Sequence, residues 1–495
     1  MAVNTAVNMS ANMSDSRMRL FRRTLSADCL TPPGVFARLV ERGDCFMFES
    51  AEGGEQWGRF SILGISPACR ATAEAADASG RSVTRLHFRD GHEELYDGGI
   101  LDWLRDQVIE QTFLPEEDLP FAGGAVGYFG YQLVSHFEDI PADLPDPVGA
   151  AESAYLLVDR FMVFDNLKGT LTCCVRLPAD QQAEAKNVLD RMEASLSEGE
   201  PASVLKLDAD TSRSDAPAAQ TTQADFEAAV AKAREYILAG DIFQVVLSQR
   251  FSKALNCAPF DLYRAVRHIN PSPYLFYLHI GDTILVGSSP EILVRRDMDK
   301  AVVRPIAGTR RRGQTAAEDQ ALEAELLADA KELAEHVMLV DLGRNDLGRV
   351  CRYGSVELTE SMVIERYSHV MHIVSQVEGV MRDDADTLDL LAATFPAGTV
   401  SGAPKVRAMQ IIHELEPVAR GPYAGTVGYI GFGGKRMDTA IAIRTAVIHG
   451  GQVHIQAGAG IVADSVPAKE HQECVNKAMA MFRAVALAEA QGRDS

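Results

Sequence analysis

Two pairs of glutamates at helical spacing are the first candidates for chemistry in this sequence. Glu332 and Glu335 lie in AKELAEH, and Glu470 and Glu473 lie in AKEHQEC. A spacing of three residues places each pair on neighbouring positions of one helix surface. Four carboxylates from two helices could hold a hard divalent cation such as Mg²⁺, which prefers oxygen ligands. A solvated charged face is the alternative interpretation, because glutamate is mostly exposed in folded proteins.

Two glycine-rich stretches could present backbone N–H groups to a carboxylate. The segment 457–463, AGAGIVA, matches G-x-G-x-x-A, but no helix is predicted to open there, as a dinucleotide-binding turn requires. The segment 395–405, FPAGTVSGAPK, lacks the spacing and the Lys-Ser/Thr ending of a phosphate-binding loop. A tight turn is the alternative interpretation of either stretch.

One arginine and two histidines stand in strand-like surroundings. Arg444 lies in the apolar run TAIAIRTAV, where a cation needs an anionic partner or a water-filled cleft. His369 and His372 lie in YSHVMHIVS, where a packed, hydrogen-bonded core histidine is an equally ordinary outcome. No local signature indicates a Ser-His-Asp or Cys-His nucleophile.

The elements that must position these residues mix strands and helices without a regular βαβ alternation. Helices are predicted at 226–239, at 317–339 and at 467–490, the last with Ser465 as its cap and Pro467 in its first turn. Strands are predicted at 45–48, 60–63, 84–88, 155–164, 242–251, 371–377, 425–430, 439–448 and 453–462. This mixture predicts an α+β fold with large antiparallel β-sheets flanked by helices.

A composition break divides the chain. Residues 195–224 are rich in Ser, Ala, Asp and Thr and are interpreted as a linker or long surface loop. The sequence therefore predicts a loose tail at 1–24, an N-terminal lobe at 25–194 and a C-terminal domain at 225–490.

Composition and charge exclude several classes of partner. The chain has 495 residues, of which 46% are apolar and 24% charged, and its formal net charge is −21. These values are typical of a globular protein, and so acidic a surface repels nucleic acid and anionic lipid. No apolar run approaches the ~20 residues of a membrane span. The eight scattered cysteines include no Cys-x-x-Cys pair, which indicates a reducing compartment such as the cytoplasm.

Eight strings of the C-terminal region, taken in their order, resemble the chorismate-utilising enzymes, most closely the anthranilate synthase component I group of that family. They are GDIFQVVLSQRF (240–251), NPSPYLFYL (270–278), GSSPEILV (287–294), PIAGTRRRG (305–313), KELAEHVMLVDLGRNDLGRV (331–350), FPAGTVSGAPK (395–405), AGAG (457–460) and AKEHQECVNKA (468–478). In the N-terminal region, FES (48–50) and GRFSILG (58–64) resemble the regulatory lobe of the same group.

The resemblance implies a ligand set for the metal. Glu335 and Glu473 would coordinate Mg²⁺ directly, with Glu332 and Glu470 acting through water. The metal would hold the ring carboxylate of chorismate.

The resemblance also implies roles for the residues around the substrate. His372 would be the acid/base group near the departing pyruvate, and Thr399 would orient it or the ring. Arg444 and the glycine N–H groups suit the enolpyruvyl carboxylate, because a guanidinium and backbone donors match a planar oxyanion. The substrate-lining residues would be Gly308, Thr309, Tyr423, Arg444, Gly458, Ala459, Gly460 and Lys477.

Two positions favour one branch of the family over the others. Isochorismate and salicylate synthases carry a lysine, which activates water, in the strand where this chain has Gln244. Aminodeoxychorismate synthases of the usual type carry a nucleophilic lysine in P-I-K-G-T, where this chain has Ala307. With neither lysine present, ammonia is the simplest nucleophile.

The resemblance therefore implies conversion of chorismate and ammonia into anthranilate and pyruvate, the first committed step of tryptophan biosynthesis. No cysteine-containing glutaminase signature follows the synthase region. Ammonia is therefore expected from a glutamine amidotransferase subunit, in a heterotetramer of two copies of each chain, or from solution at high ammonium. Two alternatives stay open, which are an aminodeoxychorismate-type synthase and a non-catalytic sensor of chorismate or tryptophan.

Feedback inhibition by tryptophan is a further implication. The matching positions lie between the two regions and are Glu49, Ser50, Pro271, Ser272 and Pro273. A proline-fixed loop would form a rigid wall for the indole, and Glu49 or nearby carbonyls could meet the ammonium. Two purely structural turns are the alternative interpretation.

Overall fold

The computed structural model describes residues 18–40, 43–50, 58–74, 82–114, 116, 118–198, 203–207, 217, 219–367 and 370–491. His369, the first seventeen residues of the expected tail and much of the expected linker lie outside these ranges.

Ten α-helices occur in the described ranges. They are α1 (Pro32–Ala37), α2 (Ile100–Leu104), α3 (Gln182–Ser195), α4 (Gln223–Ala239), α5 (Pro259–Ile269), α6 (Ala316–Ala328), α7 (Ala330–Gly348), α8 (Thr387–Thr394), α9 (Lys405–Leu415) and α10 (Pro467–Ala490). Shorter helical turns lie at Arg105–Ile109, Tyr131–His136 and Gly398–Val400. None of the helices in the described ranges combines the length and apolarity that crossing a membrane requires.

The strands form two large antiparallel sheets. In chain order they are β1 (Met18–Ser26), β2 (Cys45–Glu49), β3 (Phe60–Ile65), β4 (Cys69–Ala73), β5 (Thr84–Phe88), β6 (Glu93–Tyr96), β7 (Gly124–Phe129), β8 (Ser153–Val158), β9 (Arg160–Asp165), β10 (Thr170–Pro178), β11 (Gln244–Ala254), β12 (Tyr274–Ile280), β13 (Thr283–Ser289), β14 (Ile292–Asp297), β15 (Lys300–Val303), β16 (Ile306–Arg311), β17 (Glu357–Arg366), β18 (Val370–Val380), β19 (Gly402–Ala403), β20 (Thr426–Gly431), β21 (Arg436–Ile441), β22 (Thr445–His449) and β23 (Gln452–Ile461). The predicted α+β class with large antiparallel sheets is confirmed.

Each sheet takes five strands from the N-terminal region, and the C-terminal region supplies six strands to the first sheet and seven to the second. The first has the order β1-β10-β9-β3-β2-β12-β13-β22-β23-β11-β19. The second has the order β16-β18-β15-β14-β21-β20-β7-β8-β4-β5-β6, with β17 pairing β18. The regions join where β2 pairs β12 and where β7 pairs β20. The two regions of the sequence therefore share both sheets.

The hydrophobic core fills the space between the sheets and the spaces under the helices. Phe46 and Phe276 of the first sheet pack in one cluster with Tyr128 and Val427 of the second, so the two sheets face each other. A second cluster buries α5 and α10 against the first sheet, and a third buries α8 and α9. Burial of these apolar faces is the main force that holds the layers together.

Five local predictions are wrong. The run 155–164 is two strands, β8 and β9, which lie in different sheets. Residues 18–24 form part of β1, which pairs along β10, instead of a loose tail. The helix predicted at 317–339 is two helices, because Asp329 ends α6 and caps α7 by accepting N–H bonds from Lys331 and Glu332. The run 439–448 is two strands that separate at Arg444. Ser465 does not cap α10; its hydroxyl accepts the Val462 N–H instead.

Candidate functional site

The first cluster of candidate residues lies where α7 packs against β16 and β18. The first turn of α7 places Glu332 beside Gly308, such that a Cβ on that glycine would lie 3.2 Å from Glu332 Oε2. Gly308 has φ +66°, a conformation that glycine adopts without strain. Arg310 approaches Glu332 at 3.6 Å. Burial and the neighbouring Glu335 carboxylate raise the pKa of Glu332, although Arg310 acts in the opposite direction.

The second cluster lies where α10 packs along β23. Lys477 Nζ contacts Glu473 Oε1 at 2.7 Å and donates to the Gly458 carbonyl at 3.0 Å. A Cβ on Gly458 would lie 2.8 Å from the Tyr423 hydroxyl, so only a glycine leaves this approach open. Glu470 lies one turn before Glu473 on α10.

Gln244 connects the two clusters. Its Nε2 donates to Glu335 Oε1 at 3.3 Å. A Cβ on Gly460 would lie 2.6 Å from the same nitrogen. Because β11 and β23 are paired, with Val246 opposite Gly460 and Leu247 opposite Ala459, Gln244 links α7 to the glycine-rich strand.

The predicted magnesium ligands lie in two groups. Among the described residues, no three His, Cys, Asp or Glu side chains come together closely enough to ligate a metal. Glu332 and Glu335 form one acidic pair, whereas Glu473 is paired with Lys477. The oxygen donors of these carboxylates suit Mg²⁺ in type. Direct coordination by both helices stays a prediction.

His372 is a buried, neutral base candidate. Its Nδ1 lies 2.9 Å from the Gly308 carbonyl and 3.1 Å from Thr309 Oγ1. A carbonyl only accepts, so Nδ1 carries the proton and Nε2 keeps its lone pair. Burial, together with the charge of Arg444, lowers the pKa of His372. The ring of Tyr367 packs edge-on against the imidazole with centroids 5.4 Å apart.

Thr399 contacts the carboxylate of Glu291, which was not among the predicted site residues. The short helical turn Gly398–Val400 aims Thr399 Oγ1 at Glu291 Oε1, to which it donates at 3.0 Å. Glu291 is 8% exposed, and burial raises its pKa to about 8, although Thr399 and Arg444 both favour the charged form. Glu291 is therefore a buried acid that holds its proton near neutral pH.

A signal for Glu291 was present in the sequence. The residue stands between Pro290 and the apolar run Ile292–Val294. The criterion that selected Arg444, a charge within an apolar strand-like run, applies equally to Glu291.

Arg444 joins the base and the acid. It lies in the turn between β21 and β22 with φ +48°, a strained value for a residue with a side chain, and its carbonyl accepts the Ser288 N–H at 3.1 Å. Its charge acts on both Glu291 and His372. The structure thus brings His372, Thr399 and Arg444 together, as a common site requires.

A separate cavity of about 370 Å³ lies between the sheets. Glu49, Ser50 and Pro273 line it, and the hydroxyl of Ser50 is buried without a hydrogen-bond partner. Glu49 accepts from Tyr263 and, at 3.1 Å, from Arg267. Pro271 and Ser272 lie outside the lining, and Ser272 donates to the Ser288 carbonyl at 3.3 Å.

Comparisons with known proteins agree with this arrangement. The model of the chorismate binding enzyme family matches residues 43–483. The chain belongs to the chorismate-binding enzyme family. Anthranilate synthase component 1 of Pseudomonas aeruginosa is 47% identical over 96% of each chain, and that of Aquifex aeolicus is 46% identical over 94% of each.

Solved structures give the same result. Anthranilate synthase component I of Streptococcus pneumoniae superposes with a TM-score of 0.76 at 36% identity, over 92% of this chain and 99% of that one. The menaquinone-specific isochorismate synthase of Escherichia coli superposes with a TM-score of 0.69 at 20% identity, over 95% of each chain, and shares the fold. Within the family, the chain is grouped with anthranilate synthase component I.

The protonation of Glu291 can be measured without any assay of activity. Infrared difference spectra of the wild type against Glu291→Gln should show a protonated carboxyl band that disappears with a midpoint near pH 8. In Thr399→Val the midpoint should move upward, because the carboxylate loses a donor that favours its charged form. A midpoint near the ordinary glutamate value of 4.5 would contradict the assignment.

Proposed function

We propose that the chain is a synthase subunit that converts chorismate and ammonia into anthranilate, pyruvate and water. The observation that carries this proposal is the buried pair of a protonated acid, Glu291, and a neutral base, His372, both facing Arg444. An enzyme that removes a hydroxyl and a ring proton needs both groups. The similarity to proteins named anthranilate synthase component I supports the same activity.

Chorismate carries two carboxylates, and the proposal assigns different residues to each. Arg444 and the backbone of Gly458–Gly460 suit the enolpyruvyl carboxylate. Mg²⁺, held by Glu335 and Glu473 directly and by Glu332 and Glu470 through water, would neutralise the ring carboxylate. Gly308, Thr309, Tyr423 and Lys477 would complete the walls around the ring.

The acid and the base divide the chemistry between them. Glu291 donates its proton to the C4 hydroxyl, which leaves as water while ammonia bonds to C2, and the proton released by the new amine returns to Glu291. His372 Nε2 then takes the C2 proton as the bond from C3 to the enolpyruvyl oxygen breaks, and passes it to the departing pyruvate. Aromatisation drives this second step.

Gln244 favours ammonia over water as the nucleophile. Its amide donates to Glu335 and has no lone pair basic enough to deprotonate water. Ammonia is nucleophilic without a base. The proposal therefore includes a glutamine amidotransferase partner as the ammonia source, in a heterotetramer of two copies of each chain.

The cellular setting follows from the same proposal. The reaction is the first committed step of tryptophan biosynthesis, and we infer a cytoplasmic location. The eight cysteines are all unpaired, which suits a reducing compartment.

The direct test is turnover of chorismate with ammonium and Mg²⁺, followed by the fluorescence and chromatographic position of the product. Glu335→Gln should lower turnover roughly tenfold to a hundredfold, because it removes one ligand charge. Asp341→Asn, an exposed acid on the same helix, is the matched control and should keep full activity. Intact turnover in Glu335→Gln would contradict the metal role, a para product would favour an aminodeoxychorismate synthase, and no consumption by the wild type would favour a sensor.

We further infer that tryptophan binds the cavity between the sheets and inhibits the enzyme. The volume of about 370 Å³ accommodates an indole side chain. Arg59, Arg295 and Arg436 line it alongside Asp297 and Asp438, so both charges of an amino acid find counterparts. Because both sequence regions form its walls, a bound ligand would alter how they pack and so influence the distant catalytic residues.

Ser50→Phe tests this binding site. The larger side chain should occupy the cavity, weaken tryptophan binding measured by calorimetry, and raise the tryptophan concentration needed for half inhibition, with little effect on uninhibited turnover. Ser26→Phe, at the exposed end of β1, is the control and should leave inhibition unchanged. Wild-type inhibition in Ser50→Phe would exclude this cavity as the effector site.

A further inference from the structure

A buried ion pair lies behind the loop that carries Thr399. Glu416 directly follows α9, and Arg420 lies four residues later; their side chains are 6% and 1% exposed. Arg420 contacts both carboxylate oxygens, Nε to Oε2 at 2.8 Å and Nη2 to Oε1 at 2.6 Å. A paired guanidinium and carboxylate of this geometry is strong and directional. Neither residue belongs to the substrate-lining set proposed above.

Arg420 also holds two segments of backbone. Its Nη1 donates to the Val400 carbonyl at 2.7 Å, directly after Thr399. Its Nη2 donates to the Val246 carbonyl at 2.7 Å, two residues after Gln244. The Arg420 guanidinium therefore connects the turn that carries Thr399 to β11.

Glu416 extends the connection to the glycine-rich strand. The N–H and the hydroxyl of Ser248 both donate to Glu416 Oε1 at 2.8 Å. Gln456 Nε2 donates to the Ser248 hydroxyl at 2.8 Å. Gln456 lies two residues before Gly458, so the network reaches the strand that would receive the substrate carboxylate.

An aromatic ring of the site packs on the same guanidinium. The Arg420 carbon lies 4.6 Å from the ring centroid of Tyr131 and 5.7 Å from that of Tyr423. A cation this close to a ring is attracted by its face. Tyr423 in turn approaches Gly458, so Arg420 is linked to the turn that carries Thr399, to β11 and to β23.

We propose that Arg420, held by its ion pair with Glu416, is a positioning residue for Thr399. By fixing Thr399, it maintains the hydrogen bond from the Thr399 hydroxyl to Glu291. We call the Glu416–Arg420 pair the clamp. The inference rests on the proposed function, because Glu291 matters there as the proton donor. Among the polar contacts of the described residues, Arg420 has none with Glu291, so it would act on that carboxyl group only through Thr399.

The clamp is expected to affect the pH dependence of activity, which a purely structural role would leave unchanged. The groups that face Glu291 are the Thr399 hydroxyl from the loop and the Arg444 guanidinium from the turn between β21 and β22; His372 on β18 faces Arg444. If the turn that carries Thr399 moves, Glu291 loses the hydrogen bond from Thr399 that stabilises its charged form, and its pKa rises further. Activity needs protonated Glu291, so its decline at alkaline pH should begin at a higher pH.

Arg420→Lys is the main variant, since lysine keeps the charge but cannot reach Glu416, Val400 and Val246 together. We expect kcat to fall roughly tenfold to a hundredfold, as misplacement of a catalytic group does. KM should change less than kcat, and the alkaline limb of kcat should move upward. Thr399→Val should shift that limb equally, and the double variant should shift it no further. Arg407→Lys, whose partner Asp241 is exposed, is the matched control on α9.

An alkaline limb that stays at its wild-type position in folded Arg420→Lys would overturn the inference, as would additive shifts in the double variant. If Arg420→Lys does not fold, Glu416→Gln replaces it, and the same shift is expected or the inference fails. If the wild type consumes no chorismate, the proposed function fails. Infrared titration of Glu291 in Arg420→Lys then tests the clamp independently of activity. A midpoint at higher pH than in the wild type would support the inference, and an unchanged midpoint would contradict it.

Discussion

The antiparallel pairing of β11 with β23 is the constraint on which the candidate site depends. The ladder runs from Val245 opposite Ile461 to Ala254 opposite Gln452. Its register places Gln244 next to Gly460 and Ser248 opposite Gly458. A shift by one residue would turn every side chain to the other face of the sheet. Helix α10 packs along β23, while Gln244 contacts α7, so both acidic helices take their places from this ladder.

Burial gives the site its chemistry. Removal from water raises the pKa of Glu291 and lowers that of His372, which leaves an acid with its proton and a base without one at neutral pH. Arg444 stands between them, in a strained turn that the pairing of β21 and β22 with different sheets imposes. Behind the turn that carries Thr399, Glu416 and Arg420 form a buried ion pair in which each charge has the other as its partner.

The sequence predicted the class of the fold and most elements, because apolar periodicity and glycine or proline boundaries are local signals. The bounds of α10 match the prediction, and α4 ends at Gly240, whose φ of +87° is the expected left-handed cap. The break at Asp329 was missed, since the apolar spacing continues through it and only the cap geometry reveals two helices.

The site residues that lie in recognisable sequence motifs could be predicted. His372, Thr399 and Arg444 are brought together as expected. Glu291 was missed because its meaning depends on burial, which is a property of the packed sheets. Whether four glutamates from two helices can bind one metal depends on the distance between the helices, which sequence spacing does not reveal. In the structure Glu473 forms an ion pair with Lys477.

The most direct measurement supplies chorismate and Mg²⁺ together with ammonium enriched in heavy nitrogen, and locates the label by nuclear magnetic resonance of the purified product. We expect the label to enter as an amine on the ring carbon next to the carboxylate, with one pyruvate released for each labelled ring. Label at the para carbon, or unlabelled hydroxylated product, would contradict it.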